Sequence, residues 1–548
     1  MKNDRIYKRI KHLFPIDPED PSSIIAQKQI KKILAEKGRK SHTRYSGKYD
    51  SSTSDYLVNK YAAVNEHGER PSSVLKMITK DLFSGVPRWR SPEMFYNICA
   101  ATNFASSAMY AVSLEENIHG VNDVLSGATL VAERSITRIM SELAGLHHDS
   151  YGIFTFGGTG TNLYGMKLGI KKCSPESTFI GLDGSVRFLL TEDAHFCHAA
   201  NADWLGVGLN NAEKIDACAE DRSSDIRDAE TKARRILKEG HKLATIVING
   251  GTTYSHTIDD IKQFVTLRDR LVKDFNLPYR PHLHVDSVIG WSWLVFKEYD
   301  FEKNDMNISS SALEAIQQQY EKIAQIKLAD SWGIDFHKGI GSVPAVSSMI
   351  MINNAQDALL LSKKVSSKTE MHQLAGDIGT LSPVDYTLET TRPAGASLSA
   401  LVAIKTIGLE GFRRNLANLV ESAFLLRKLL SERKDVVILS DKSLGFVTMV
   451  QIIPSNITQK HVSEYNNAEL KEINSYIAQF FNWDKKTRVD KGKGAEYSIS
   501  SCYYKNQAGV NIAAVKFYPT SPHISSTTIK NLVSTFLKQK NIFDKLPK

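Results

Sequence analysis

From about Tyr151 onward, short runs of β-branched and apolar residues alternate with longer stretches of helical periodicity. The short runs read FIGL, RFLLT, ATIVIN, HLHVDSV and SMIMIN, and helix-like segments such as Ile258 through Asp274 lie between them. That alternation predicts a mostly parallel sheet covered by helices on both faces, an α/β architecture. Upstream the pattern is helical and irregular. Pro21-Ser22-Ser23 would cap a helix through IIAQKQIKKILAEKG, and the polar stretch Gly38 to Ser54 reads as a linker. Downstream, a segment from Gly376 to Arg392 rich in Gly, Thr and Pro precedes a helix from Ser397 through Leu430, bent near Gly408 to Gly411. VTMVQII and IAAVKFY then read as strands and SSTTIKNLVSTFLKQ as a closing capped helix. The expected division is an N-terminal helical and irregular segment (1–95), a large domain (96–385) and a small α+β domain (386–548), with no internal repeat.

Composition narrows the class. Of 548 residues, 42% are apolar and 24% charged, the balance of a chain with a sizeable packed core. No continuous apolar run reaches the roughly 18 residues a bilayer needs, and the basic start MKNDRIYKRIKHLFP has no apolar stretch behind it. A cytoplasmic protein without a membrane association is therefore expected. The five cysteines are scattered without CxxC pairing or zinc-ligand spacing, which suits a reducing compartment and predicts no metal site. The net charge of +9 is spread along the chain, so it reads as a solvated surface that attracts small anions rather than as a nucleic-acid stripe.

Four motifs could carry chemistry. Phe154-Thr155-Phe156-Gly157-Gly158-Thr159-Gly160-Thr161-Asn162 runs into a helical pattern, and small residues there leave backbone N–H groups free at a helix N-terminus to hold a phosphate. It is neither a Walker loop nor a GxGxxG fingerprint, and such a loop can equally be a tight turn. Thr191-Glu192-Asp193-Ala194-His195 ends the strand RFLLT, where a His faces the crevice of an open α/β sheet. His198, three residues on, reads as structural. His284-Val285-Asp286 puts an acid in an apolar run, and a carboxylate there needs a partner: a protonated ring nitrogen, a helix terminus or an ion pair. Finally, Asp330 to Gly339 contains His337-Lys338, and a lysine in a partly apolar site can form a Schiff base with an aldehyde.

A phosphate loop, a ring-facing His, an acid at a strand end and then a lysine form an order far more specific than any one part. In that order the chain resembles the group II pyridoxal-phosphate-dependent amino-acid decarboxylases, of aspartate-aminotransferase fold type I, from roughly Ser91 to the C-terminus. The resemblance implies pyridoxal 5'-phosphate as cofactor and decarboxylation of an L-amino acid to its amine. It implies that Gly158 and Thr159 bind the phosphate, His195 stacks on the pyridine ring, Asp286 pairs with the ring nitrogen, Lys338 bonds to the cofactor and His337 assists at the phosphate. Thr252, in Asn249-Gly250-Gly251-Thr252-Thr253, would lie near the ring or the lysine, and Thr391 would reach the phosphate of the other subunit. A homodimer with its site between subunits is implied, and Tyr386 would serve as the general acid at the α-carbon.

The chain departs from that family at several points. Ser287 and Val288 replace the usual small residues after the acid, Gly160 replaces a glutamate, and Gly339 replaces an aromatic residue. Two other reactions share the scaffold. One is a carbon-carbon lyase of the sphingosine-phosphate lyase kind; the other is an aminotransferase, in which Arg392 would grip an α-carboxylate. A catalytically retired scaffold is the reading from a different class. The substrate pocket is expected around Trp89 and Phe95, and nothing in the sequence specifies the amino acid.

Overall fold

The computed structural model describes residues 28, 50–64, 66–96, 99–146, 150–362, 382–491 and 494–547. The predicted helix IIAQKQIKKILAEKG apart from Lys28, most of the Gly38 to Ser54 stretch and residues 376–381 of the Gly376 to Arg392 segment lie outside these residues. Where that stretch enters the described chain, Asp50 caps a turn at Ser51–Thr53 and a helix starts at Ser54.

Two sheets organise the molecule. In chain order the strands are β1 (Met94–Phe95), β2 (Tyr151–Thr155), β3 (Val186–Thr191), β4 (Ala212–Ile215), β5 (Lys242–Asn249), β6 (His282–Asp286), β7 (Ser331–Asp335), β8 (Ser348–Ile352), β9 (Val436–Ile438), β10 (Thr448–Ile452), β11 (Glu496–Lys505) and β12 (Asn511–Phe517). The larger sheet has the order β2-β8-β7-β6-β5-β3-β4. From β7 to β4 every pair is parallel, and β8 runs antiparallel to both neighbours. The sheet is buried on both faces. Along β5, Ile246 and Ile248 join the main apolar cluster, while Thr245 and Val247 face the helix Gly158–Cys173. This is the mixed, mostly parallel α/β sheet that the pattern predicts.

FIGL is the one predicted strand that does not form. Residues Ser177–Ile180 make a single helical turn with Phe179 and Ile180 exposed, and Gly181 leaves it at φ +79°. β2 and β7 escape the pattern because YGIFT and SWGID interrupt their apolar runs with glycine.

The second sheet, β1-β11-β12-β10-β9, draws its first strand from the N-terminal segment, so Met94 and Phe95 pack with the C-terminal part of the chain. In chain order the helix Gly395–Ser431 follows the strands of the larger sheet and precedes β9, and it is kinked at Gly408 (φ 67°) as the glycines predict. Among the described helices it alone is long and apolar enough to cross a membrane by composition, but it packs against the helices Phe104–Glu115 and Ser526–Phe543. The last helix starts with a reciprocal Ser525/Thr528 capping box.

Candidate active site

Five segments meet in a cleft beyond the carboxyl ends of β3, β5, β6 and β7, where open α/β sheets bind ligands. Lys338, three residues past the end of β7, lies there mostly buried with Nζ 2.6 Å from Asp335 Oδ2. Burial opposes its charge, but the attraction of Asp335 outweighs burial and holds the ammonium above its ordinary pKa. Asp335 is itself fully buried as the last residue of β7, with the Ser348 hydroxyl donating to Oδ1. The helix Gly158–Cys173 starts against this pair. A Cβ at Gly158 would stand 2.8 Å from Asp335 Oδ2, so only glycine lets the helix N-terminus close on the lysine.

Asp286 ends β6. Its Oδ2 accepts from His198 Nε2 at 2.7 Å and from Asn162 Nδ2 at 3.1 Å, while Oδ1 is buried without a hydrogen-bond partner among the described residues. Burial pushes this carboxyl upward, yet the His198 hydrogen bond and the nearby cations outweigh it, and Asp286 is held well below the usual carboxylate range. Asn249, paired with Asp286 in the β5–β6 register, accepts from Thr191 Oγ1 at 2.8 Å and has a buried, unused amide Nδ2.

His195 lines the cleft after β3, its Nδ1 accepting from the Cys197 backbone at 3.3 Å. Burial lowers its pKa, so a neutral imidazole faces the cleft. Thr159 and Thr252 line it too. The Asn201 amide donates to the Thr159 carbonyl at 3.1 Å, and Thr252 Oγ1 accepts from the Thr257 backbone at 3.2 Å. His337 Nδ1 lies 3.3 Å from Ser347 N and 3.5 Å from the Ser347 carbonyl oxygen. Val288, the bulkier residue after the acid, is a wall of the same cleft.

Four expectations need correction or fall outside this cleft. Tyr386 packs on Tyr151, with ring centroids 5.3 Å apart, beside an apolar cluster that includes Ile153 and Leu168. A general-acid role for Tyr386 finds no support in its own subunit's contacts. Arg392 is buried and fully engaged: it donates to Glu133 Oε2 at 3.1 Å, the Phe154 carbonyl at 2.8 Å and the Gly120 carbonyl at 3.1 Å. It cannot grip a substrate carboxylate. Phe95 is a core residue of β1, and neither it nor Trp89 lines the cleft. Thr391 is exposed and likewise outside the cleft.

Sequence reasoning missed Asp335, Asn162 and Asn249, and it gave His198 only a structural part. Spacing carried a signal for three of them. Asp335 stands three residues before Lys338, Asn162 one helical turn after Gly158, and His198 one turn after His195. A further missed residue is Lys516 on β12. It is buried, has no hydrogen bond or ion pair among the described residues, and sits 5.4 Å above the Tyr254 ring, next in sequence to the cleft residue Thr253. Burial pulls its pKa down to about 8.

A family model described as the pyridoxal-dependent decarboxylase conserved domain matches residues 55–451. The chain belongs to this family. Among relatives of known name, an L-2,4-diaminobutyrate decarboxylase of Rhizobium meliloti is 24% identical over 62% of this chain and 62% of its own length. The human acidic amino acid decarboxylase GADL1 is 24% identical over 43% of this chain and 44% of its own length. The chain thus aligns with less than two thirds of either relative. Solved structures extend the likeness in fold. Mouse CSAD superposes with a TM-score of 0.76 at 14% identity, covering 95% of this chain and 99% of that one. Oryza sativa TDC, solved with PLP and tryptamine, gives 0.76 at 12% identity over 97% and 100%.

The residues of this member of the pyridoxal-dependent decarboxylase family fit the family's cofactor. The cleft offers a primary amine at Lys338, an unused anionic acceptor at Asp286 Oδ1, an unused donor at Asn249 Nδ2 and a glycine-walled helix N-terminus for a phosphate.

Proposed function

We propose that this chain removes the α-carboxyl group of an amino acid as carbon dioxide and releases the amine, using pyridoxal 5'-phosphate held at Lys338. The observation that carries the reading is Asp286 Oδ1, a buried anionic acceptor without a partner among the described residues, in the cleft that also holds the Lys338 amine. When bound, the cofactor supplies an aldehyde that captures amines and a protonated ring that accepts the electron pair left by departing carbon dioxide. Asp286 keeps a proton on that ring's nitrogen. The Gly158 and Thr159 amides hold the phosphate, and the neutral ring of His195 stacks against the pyridine. Asp335 retains the Lys338 proton until the amine is needed.

The reading includes a homodimer. Phe156 and Phe196 adjoin cleft residues in sequence and are exposed, as are Phe104, Val112 and Leu114 on one helix. A second copy would cover these side chains and bring Thr391 toward the neighbouring phosphate. Five free thiols are compatible with a cytoplasmic location.

The test is a panel of acidic, aromatic and diamino L-amino acids given to the cofactor-loaded protein, with carbon dioxide and amine measured together. One substrate yielding both in equal amounts supports the proposal. Amino-group transfer to a keto acid without carbon dioxide would overturn it.

A further inference from the structure

β6 carries three polar side chains on one face, His282, His284 and Asp286, all under the helix Gly158–Cys173 or its neighbours and all buried. Three polar groups at alternate positions of a central strand are costly unless each is satisfied. Here the contacts form a line. Asn162 Nδ2 is 3.1 Å from Asp286 Oδ2, Asn162 Oδ1 is 2.9 Å from His284 Nε2, His284 Nδ1 is 2.7 Å from Ser331 Oγ, and Ser331 Oγ is 2.7 Å from His282 Nε2. The helix comes close enough only because residue 165 is glycine, where a Cβ would lie 2.3 Å from His284 Nδ1.

The charge on Asp286 fixes the direction of every bond in the line. An ionised carboxylate only accepts, so Asn162 must turn its NH₂ toward Asp286 and its oxygen toward His284. His284 Nε2 must then carry a hydrogen, which leaves Nδ1 as an acceptor. The Ser331 hydroxyl donates to Nδ1, and its oxygen accepts from His282 Nε2. The second Asn162 hydrogen meets Cys197 Sγ at 3.4 Å. His198 Nε2 is the remaining donor, also to Oδ2. Burial lowers the pKa of His284 to about 3 and that of His282 well below its ordinary value, consistent with two neutral rings. At the far end, Asp330 Oδ2 lies 3.9 Å from His282 Nδ1 and is neutralised by Arg268 at 2.6 Å.

We infer that His282, Ser331, His284 and Asn162 form a one-directional hydrogen-bond relay that, together with His198, pins Asp286 as an anion with Oδ1 alone free for the cofactor. These are positioning residues: none lines the cleft except Asn162, and each acts through Asp286. Aligned donors strengthen one another in a dry interior, so the loss of a distant link weakens the hold on the carboxylate. The inference rests on the reading that Asp286 meets the cofactor ring nitrogen.

The experiment is a double-mutant cycle on cofactor affinity, with apo-protein titrated by pyridoxal 5'-phosphate and binding read from protein fluorescence. Ser331→Ala, two side chains removed from Asp286, is expected to weaken binding about fivefold in the wild-type background and to have no further effect in Asp286→Asn. Equal effects in both backgrounds, or none in either, would overturn the relay. If Asp286→Asn itself binds as tightly as wild type, the ring-nitrogen reading fails instead. Histidine ¹⁵N NMR of the unaltered full chain gives an independent measurement that no misfolded variant can obscure. His282 and His284 are expected as neutral Nε2–H tautomers at neutral pH, and an Nδ1–H or doubly protonated ring at His284 would contradict the inference.

Discussion

Lys338 and Asp335 form an ion pair in which the acid raises the amine's pKa against the opposing pull of burial. Capture of an aldehyde needs the neutral amine, so the rate of cofactor uptake by apo-protein should climb with pH toward the lysine's pKa. Asp335→Asn removes the main force that raises that pKa, and the uptake profile is expected to shift to lower pH by about one unit or more, as stopped-flow absorbance would record. A second residue-scale expectation concerns Gly165. Alanine there meets His284 at 2.3 Å, and the overpacking is expected to cost about 1–3 kcal/mol in denaturant unfolding, with weaker cofactor binding. Lys338, Asp286 and His195 were legible in the sequence because each closes a recognisable motif. Asp335 went unread although it stands three residues before Lys338, and Asn249 and the partner of His198 could not be read because their meaning lies in contacts between segments distant in sequence. Asp286 and His198 are 88 residues apart, and nothing local to either shows that they touch.

At the scale of elements, β6 and the loop that follows β5 bury several histidines. His256 and His284 have pKa values lowered to about 3 by burial, and that of His282 lies well below its ordinary value. An unfolded histidine takes up a proton below about pH 6.5, whereas these folded ones do not until far lower. The unfolded state therefore binds more protons between those values. The stability these groups contribute is present above about pH 6.5 and is lost as pH falls toward 3, by about 1.4 kcal/mol per unit for each group. Urea unfolding at pH 7 and pH 5 should show the loss, and His256→Gln should make it shallower by roughly one group's share; an unchanged slope would contradict the assignment. The strands RFLLT, ATIVIN, HLHVDSV and SMIMIN and the kinked helix were readable from pattern alone. FIGL was misread because so short a run fits the end of a helical turn, here Ser177–Ile180, as well as a strand, and no neighbouring strand among the described residues pairs with it to decide.

The whole molecule joins two sheets through one bent helix, and β1 ties the N-terminal segment into the C-terminal sheet. That pairing of Met94 with Glu496 spans most of the chain, which is why a division by sequence pattern put the two strands in different units. The exposed Phe104, Phe156 and Phe196 predict association. Sedimentation should give twice the chain mass, and a Phe104→Asp/Phe196→Glu variant should sediment as a monomer with weakened cofactor retention; a wild-type monomer that binds the cofactor fully would contradict the dimer.

The central claim is that Lys338 bonds to the cofactor in this cleft. Borohydride reduction of the cofactor-loaded protein, followed by peptide mapping by mass spectrometry, tests it directly. The account predicts a stable phosphopyridoxyl mass on the peptide that contains Lys338 and nowhere else. A label on another lysine, or none on a yellow protein, would contradict it.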